Sequence, residues 1–263
     1  MTATTALPPL SARHFTLATD LDGTFLGGTE ADRQTLYEWI EARRESVGLI
    51  FVTGRDPHFI TGMVRAGVVP KPDYVVGDVG TTIAEVDENA EIHPIKPLEE
   101  EIAARWDNRG DEVRAALSGH PGLTLQPTGF RYRVSYDMDP EEYSHDSAKT
   151  MAGLGLDTLV SDNRYFDVLP PGVSKGPSLV RLLAYLQIAR TSVLAAGDTM
   201  NDKSMLTCGL PAVAVGGSEP DLLSHVASLD YVHKAEAIGA AGILEAIDRL
   251  SLHPEIGEAS HVV

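Results

Sequence analysis

Four short stretches carry side chains that could do chemistry together: Asp20-Leu21-Asp22-Gly23-Thr24, Thr53-Gly54-Arg55, Lys175, and Gly197-Asp198-Thr199-Met200-Asn201-Asp202. Two offer paired carboxylates beside a glycine turn, one a hydroxyl with backbone amides, and one an ammonium. Phosphoryl transfer from a monoester calls for these types: a nucleophile, a cation on the phosphoryl oxygens, and an acid for the leaving oxygen. A carboxylate is a weak nucleophile towards a dianion, so a divalent cation between them must offset their repulsion. Mg²⁺ takes oxygen ligands and keeps several waters, which suits Asp20 and Asp198 with a backbone carbonyl. The Thr53 hydroxyl, the Gly54 backbone and the Asn201 amide are neutral phosphate donors, and Lys175 is a point charge. Asp22 is the candidate to protonate the departing oxygen and then to activate water on an aspartyl-phosphate.

Each stretch alone has a blander reading. Asp-x-Asp-Gly is a common turn and also opens calcium loops, but Gly23 to Leu26 lacks the further acidic ladder such loops need. Thr-Gly often ends a strand, a lone lysine is usually solvated, and Gly197 to Asp202 could be a turn with a helix cap. Their order along one chain, each at a strand end, is what favours catalysis. The nine histidines are scattered without metal-ligand spacing.

The elements that must position these groups follow the grammar of an α/β chain. Strands are expected at 14–19, 47–53 and 73–77, with helices at 31–46 and 57–67 between them, the pattern of a parallel sheet. Ligands then sit beyond the carboxyl ends of the strands. Residues 81–86 alternate like an exposed antiparallel strand, followed by a helical stretch at 97–118. Strands at 123–126, 131–136, 158–161 and 165–169, with a polar helix at 140–153, suggest a small α+β module with one sheet face covered. Helices at 176–188, 202–208, 219–228 and 240–250, with strands at 192–196, 212–215 and about 231–232, resume the first pattern. The expected architecture is a Rossmann-like core, residues 1–86 and 167–263, with a cap inserted at 87–166. Arg55, Gly80 and Thr81 near the hinge, and Arg131 and Arg133 alternating on a cap strand, are candidate substrate contacts; for the two cap arginines a solvated face is the alternative.

Composition narrows the partners. The 263 residues carry a formal charge of -17, which repels nucleic acid and anionic lipid. A single cysteine, Cys208, excludes an internal disulfide framework, and no apolar run nears the roughly 20 residues that span a bilayer. Met1 to Arg13 lacks the pattern of a signal peptide, and the first dozen residues read as a frayed leader. A cytoplasmic protein is expected.

Taken together, the four motifs resemble those of the haloacid dehalogenase superfamily of phosphohydrolases, in order, spacing and strand-end context. The insertion between the second and third resembles a type-II cap. Pro72-Asp73-Tyr74, Val134-Ser135-Tyr136, Asp167-Val168-Leu169-Pro170, and Ala241 to Ile247 are similar to stretches of sucrose-phosphate phosphatases and related disaccharide-phosphate phosphatases. The resemblance implies Asp20 as nucleophile and Asp22 as acid/base. It also implies Mg²⁺ on Asp20, the Asp22 carbonyl and Asp198 with support from Asp202, and a phosphorylated disaccharide such as sucrose 6-phosphate as substrate. A sugar phosphomutase, or a phosphatase of broad monosaccharide-phosphate specificity, would keep the same site. A silent binding protein is disfavoured because all reactive residues are present, and a dehalogenase because Asp22 would have no role.

Overall fold

The computed structural model describes residues 7–254. Its first half builds a sheet with covering helices: β1 (Phe15–Thr19), α1 (Glu30–Glu41), β2 (Val47–Val52), α2 (Pro57–Arg65), β3 (Tyr74–Gly77), β4 (Thr82–Val86) and β5 (Ile92–Pro94). Next come α3 (Lys96–Trp106), α4 (Gly110–Ala116), β6 (Leu123–Leu125), β7 (Val134–Met138), α5 (Asp146–Gly153), β8 (Asp157–Ser161) and β9 (Tyr165–Leu169). The chain then returns through α6 (Lys175–Tyr185), β10 (Val193–Gly197), α7 (Lys203–Leu206), β11 (Ala212–Gly216), α8 (Pro220–Val226), β12 (Val232–Ile238) and α9 (Ala240–Arg249).

Eight strands form the main sheet in the order β12-β11-β10-β1-β2-β3-β4-β5, parallel as far as β3 and antiparallel beyond. This is the α/β core expected from the sequence. Strand β1 is buried along its whole length, because helices cover both sheet faces. Phe15 and Leu17 face a core with α1 and α9, and Ala18 faces the opposite core with α6 and α7. From β1 the chain runs to β2 on one side, while β10 pairs on the other. The strand order therefore reverses between β1 and β10, and a crevice opens beyond their carboxyl ends.

The second sheet is antiparallel, in the order β6-β7-β9-β8. Period-two alternation divides its side chains. Val134, Tyr136, Phe166 and Val168 pack with Val113, Leu117 and Met151, while Tyr165 and Asp167 fall on the other face, where Arg133 just before β7 joins them. Helix α3 joins the two parts: Leu98 and Ile102 sit in the main core and Trp106 in the smaller one.

Several local expectations need correction. Strand β4 is buried except at Glu85, since it lies between β3 and β5 rather than at an open edge. β5 has only three residues, too few to show a period. The expected helix at 97–118 breaks at Asp107 and Asn108, both left-handed with φ of 51° and 56°. The stretch Arg131 to Arg133 precedes β7 rather than belonging to it. The helix expected at 140–153 begins only at Asp146.

The frayed leader is corrected as far as residue 7; residues 1–6 lie outside the described part. Leu10 is buried in the core, and Arg13 is buried against Asp73, with Nη1 to Oδ2 and Nη2 to Oδ1 both 3.1 Å. Asp73 also accepts from the Leu49 amide and pairs with Arg44, so it ties the leader to β2. Truncating one partner of a buried pair leaves a charge exposed to an apolar interior. Arg13→Ala is expected to cost about 3 kcal/mol, a drop of roughly 8 °C in melting temperature, read by calorimetry.

Candidate active site

The turn after β1 sets the first two carboxylates. Asp20 is extended (φ -64°, ψ 164°) and its amide bonds to the Ala196 carbonyl of β10 at 2.9 Å, so its side chain is fixed at the switch point. Gly23 adopts φ 81°, and a Cβ there would meet Asp198 Oδ2 at 2.1 Å. Only glycine allows the Asp198 carboxylate to lie against this turn. The Thr24 hydroxyl donates to Asp198 Oδ1 at 2.5 Å.

Lys175 opens α6 and is fully buried. Its Nζ donates to Asp20 Oδ1 at 2.6 Å, to Asn201 Oδ1 at 2.7 Å and to Asp202 Oδ1 at 2.7 Å. An ammonium has three protons, so all are committed to protein acceptors. In this arrangement no ammonium proton is left over for a further acceptor. Because lysine only donates, the Asn201 oxygen faces it and the amide NH₂ is left for another acceptor. Burial alone would lower the Lys175 pKa, but Asp20 and Asp202 outweigh it and hold the group above its ordinary value.

Asp202 Oδ2 accepts the amides of Asp198 and Thr199 at 3.0 and 3.1 Å, bracing the fourth motif. Carboxylate oxygens of Asp20, Asp198 and Asp202 lie within 4.8 Å of one another. Such an all-oxygen set fits a hard divalent cation such as Mg²⁺. Asp202 is saturated by its partners, whereas Asp20 and Asp198 both reach the cavity wall.

Thr53, at the end of β2, is buried, and its hydroxyl accepts from the Arg55 amide at 3.1 Å, which leaves its own proton to donate. Asp22, Gly54, Arg55, Asp198 and Asn201 line a cavity of about 560 Å³ closed on its far side by residues of and around the second sheet, Arg133 among them. Thr53, Lys175 and Asp202 lie behind its wall, and Gly80, Thr81 and Arg131 also lie off it. Gly80 packs against Ser174, where a Cβ would come within 2.4 Å of the carbonyl carbon, and so it seats the turn that delivers Lys175. The Thr81 hydroxyl donates to the Asp78 carbonyl at 3.0 Å. Arg131 pairs with Glu99 on the outside, while Arg133 is buried against Asp167 at 3.2 Å.

Sequence reasoning missed Phe130, Ser161, Asp162 and Tyr165 on the cavity wall, and Glu219, which accepts the Met200 amide at 2.7 Å. Asp162-Asn163, both left-handed (φ 53° and 48°), was legible as a hairpin tip. That the tip overhangs the fourth motif is a tertiary fact.

The sequence profile of the sucrose-6F-phosphate phosphohydrolase family matches residues 13–251. A glucosylglycerol-phosphate synthase of Pseudomonas anguilliseptica is 41% identical over 231 residues, which are 88% of this chain but only 30% of that enzyme. A mannosylfructose-phosphate phosphatase of Agrobacterium fabrum is 26% identical over 247 residues, 90% of this chain and 97% of that one. The structure of a sucrose-phosphatase from Synechocystis sp. PCC6803, in complex with sucrose and phosphate, superposes with a TM-score of 0.82 at 23% identity, covering 91% of this chain and 98% of that one. This last likeness is one of fold.

Burial pushes Asp198 up to about 7, with the Thr24 hydrogen bond opposing and the Asp202 charge adding. Burial also raises Asp20, against the pull of Lys175. A carboxyl raised in the folded state binds its proton better folded than unfolded. Its contribution to stability is complete below about 4 and is lost as pH rises through about 7. The melting temperature of the protein in chelator should therefore fall between pH 5 and pH 8, and Asp198→Asn should flatten that slope. An unchanged slope in the variant would show that Asp198 is not its source.

Proposed function

The chain belongs to the sucrose-6F-phosphate phosphohydrolase family, phosphatases of the haloacid dehalogenase type, and from that membership we propose that it hydrolyses the phosphate ester of a small glycoside. The observation that carries this reading is Asp20, held 2.6 Å from a buried ammonium and beside Asp198, at the floor of a cavity large enough for a disaccharide.

In this reading Asp20 attacks phosphorus and the ester oxygen leaves with a proton from Asp22. Asp22 then takes a proton from the water that attacks the aspartyl-phosphate, which frees Asp20 and inorganic phosphate. Thr53, Gly54 and the Asn201 NH₂ donate to the phosphoryl oxygens. Lys175 orients Asp20 and Asn201 and lends positive charge to both. Asp20, Asp198 and the Asp22 carbonyl would hold Mg²⁺, with Asp202 bracing the loop that carries Asp198. Such a cation, when bound, offsets the repulsion between nucleophile and dianion.

Residues 87–166 are read as the cap, between core segments 1–86 and 167–263. The second sheet, made of strands between Leu123 and Leu169, supports this division, although β5 pairs with the main sheet and β9 runs past residue 166. Within the cap, Arg133 is the candidate to contact the glycosyl group. Gly80, Thr81 and Arg131 would act from behind the wall. A cytoplasmic location remains part of the proposal; no described helix is long and apolar enough to cross a membrane.

Two leaving groups compete. Sucrose 6-phosphate follows from the family, and a glucosylglycerol phosphate is favoured by the 41% identity to an enzyme named for that compound. Phosphate release should be measured from both, from a mannosylfructose phosphate and from glucose 6-phosphate, with and without Mg²⁺. Release is expected to require the cation, to concentrate on one glycoside phosphate, and to fall about 10³-fold or more in Asp20→Asn. Equal rates on all four would discard the glycoside preference, and full activity in Asp20→Asn would sink the mechanism.

A further inference from the structure

Asp22 does not stand ready to act. Arg55 Nε donates to its Oδ2 at 2.8 Å and Nη2 to its Oδ1 at 3.0 Å, so both carboxylate oxygens are engaged by one guanidinium. The Arg55 guanidinium in turn lies over the Phe59 ring, 4.4 Å from its centroid. Phe59 stands in the first turn of α2, whose start is fixed by Asp56 accepting the Phe59 amide at 3.1 Å. An isolated surface ion pair contributes little. This one combines a planar fork on a carboxylate with an aromatic floor, and its geometry is accordingly specific.

The arrangement conflicts with the chemistry asked of Asp22. A general acid must present an oxygen bearing hydrogen to the leaving group, and a carboxylate clasped on both oxygens by N–H donors has none to present. The pair must open during turnover. Asp22 and Arg55 are each about half exposed and both line the cavity, unlike the buried Asp20 and Lys175. What enters that cavity is rich in oxygen acceptors for a guanidinium, whether on the phosphoryl group or on the glycosyl group.

We propose that Arg55 is a positioning residue that exchanges partners: it clasps Asp22 while the site is empty, and bound substrate draws it away and releases the acid. The inference rests on the reading of Asp22 as acid/base. It makes proton donation conditional on a filled cavity, so that a vacant site holds no acid in place.

Exchange has a signature in binding that needs no turnover. If substrate must break the clasp, removing Asp22 frees Arg55 in advance and tightens binding. Removing a negative charge near a dianion would also tighten binding, but that effect does not depend on Arg55. The dissociation constants of sucrose 6-phosphate and glucosylglycerol phosphate should be measured calorimetrically with Mg²⁺ in an Asp20→Asn background. Asp22→Ala, Arg55→Ala and the two combined complete a double-mutant cycle. Asp22→Ala is expected to tighten binding at least 5-fold with Arg55 present and less than about 2-fold without it. An equal gain in both backgrounds, or none in either, would overturn the exchange. Should an alanine variant fail to fold, Asp22→Asn and Arg55→Lys run the same cycle. Phosphate release by the unmodified protein, assayed alongside, separates the two claims: release with a failed cycle overturns the exchange alone, and no release overturns the phosphatase reading with it.

Discussion

One buried ammonium ties the segments of the candidate site together. Lys175 binds Asp20 from the first motif and Asn201 and Asp202 from the fourth, segments brought together from three distant parts of the chain. A charge taken wholly out of water costs several kcal/mol unless its partners are close and complete. Lys175 meets that condition with three acceptors for three protons. Much of the nearby packing serves to deliver it there. The Gly176 amide bonds to the Ser204 hydroxyl, and a Cβ at 176 would strike the Ser204 carbonyl oxygen at 2.0 Å, so α6 and α7 approach as closely as backbones can. On the other side the Ser178 hydroxyl donates to the Gly80 carbonyl at 2.7 Å, which fixes α6 against the turn after β3.

That turn is the second constraint. Asp78, Val79 and Gly80 are consecutive left-handed residues, with φ of 51°, 61° and 104°. For a β-branched valine this is strained by about 1–3 kcal/mol, and it persists only because neighbours dictate it. The Asp78 amide bonds to the Arg55 carbonyl and the Val79 amide to the Thr53 carbonyl, both at 3.1 Å, so the second motif holds the strained turn in place. The turn also reverses the chain into β4, the strand that leads towards the cap. Its Asp78 side chain is buried with Oδ1 lacking a hydrogen-bond partner among the described residues, 3.7 Å from Arg133 beside the second sheet, whose Nε also lacks one among them. The turn after β3 and the second sheet thus meet through an imperfect polar contact beside the cavity. A contact of this kind tolerates displacement better than an interlocked apolar seam does.

The parallel core was legible because its strands are short apolar runs ending at glycine or aspartate and its helices carry a 3.6-residue stripe. Three of the four motifs were legible for the same reason, since each sits where such a run stops, whereas Lys175 opens α6. What the sequence hid is tertiary. Nothing local distinguishes Arg133, buried against Asp167, from Arg131, paired with Glu99 at the surface, although they are two residues apart. Leu10 looked like part of a leader because proline and small polar residues surround it, yet it is buried in the core, and Arg13 just after it is anchored by Asp73, 60 residues away. Helix 97–118 read as continuous because Asp107 and Asn108 are ordinary helix-surface residues, and both also tolerate the left-handed conformation that ends it.

Charge bears on what else the site would hold. The protein carries a net -17 and its proposed substrate is an anion, which sets the global field against binding. Around the cavity floor stand Asp20, Asp22, Asp198 and Asp202 with Lys175 and Arg55, so carboxylates outnumber cations by two. Both positive groups are already engaged by those carboxylates. The imbalance falls on Asp198, whose pKa is raised to about 7, chiefly by burial, with the charge of Asp202 acting in the same direction. A site that is to receive a dianion cannot keep this surplus of negative charge. One divalent cation between Asp20 and Asp198 would cancel it, which is the same bridge that a carboxylate nucleophile needs to approach phosphorus. The buried lysine and the raised Asp198 titration fit one arrangement, in which the positive charge facing a phosphate would come from solution and the carboxylates of Asp20 and Asp198 would hold it.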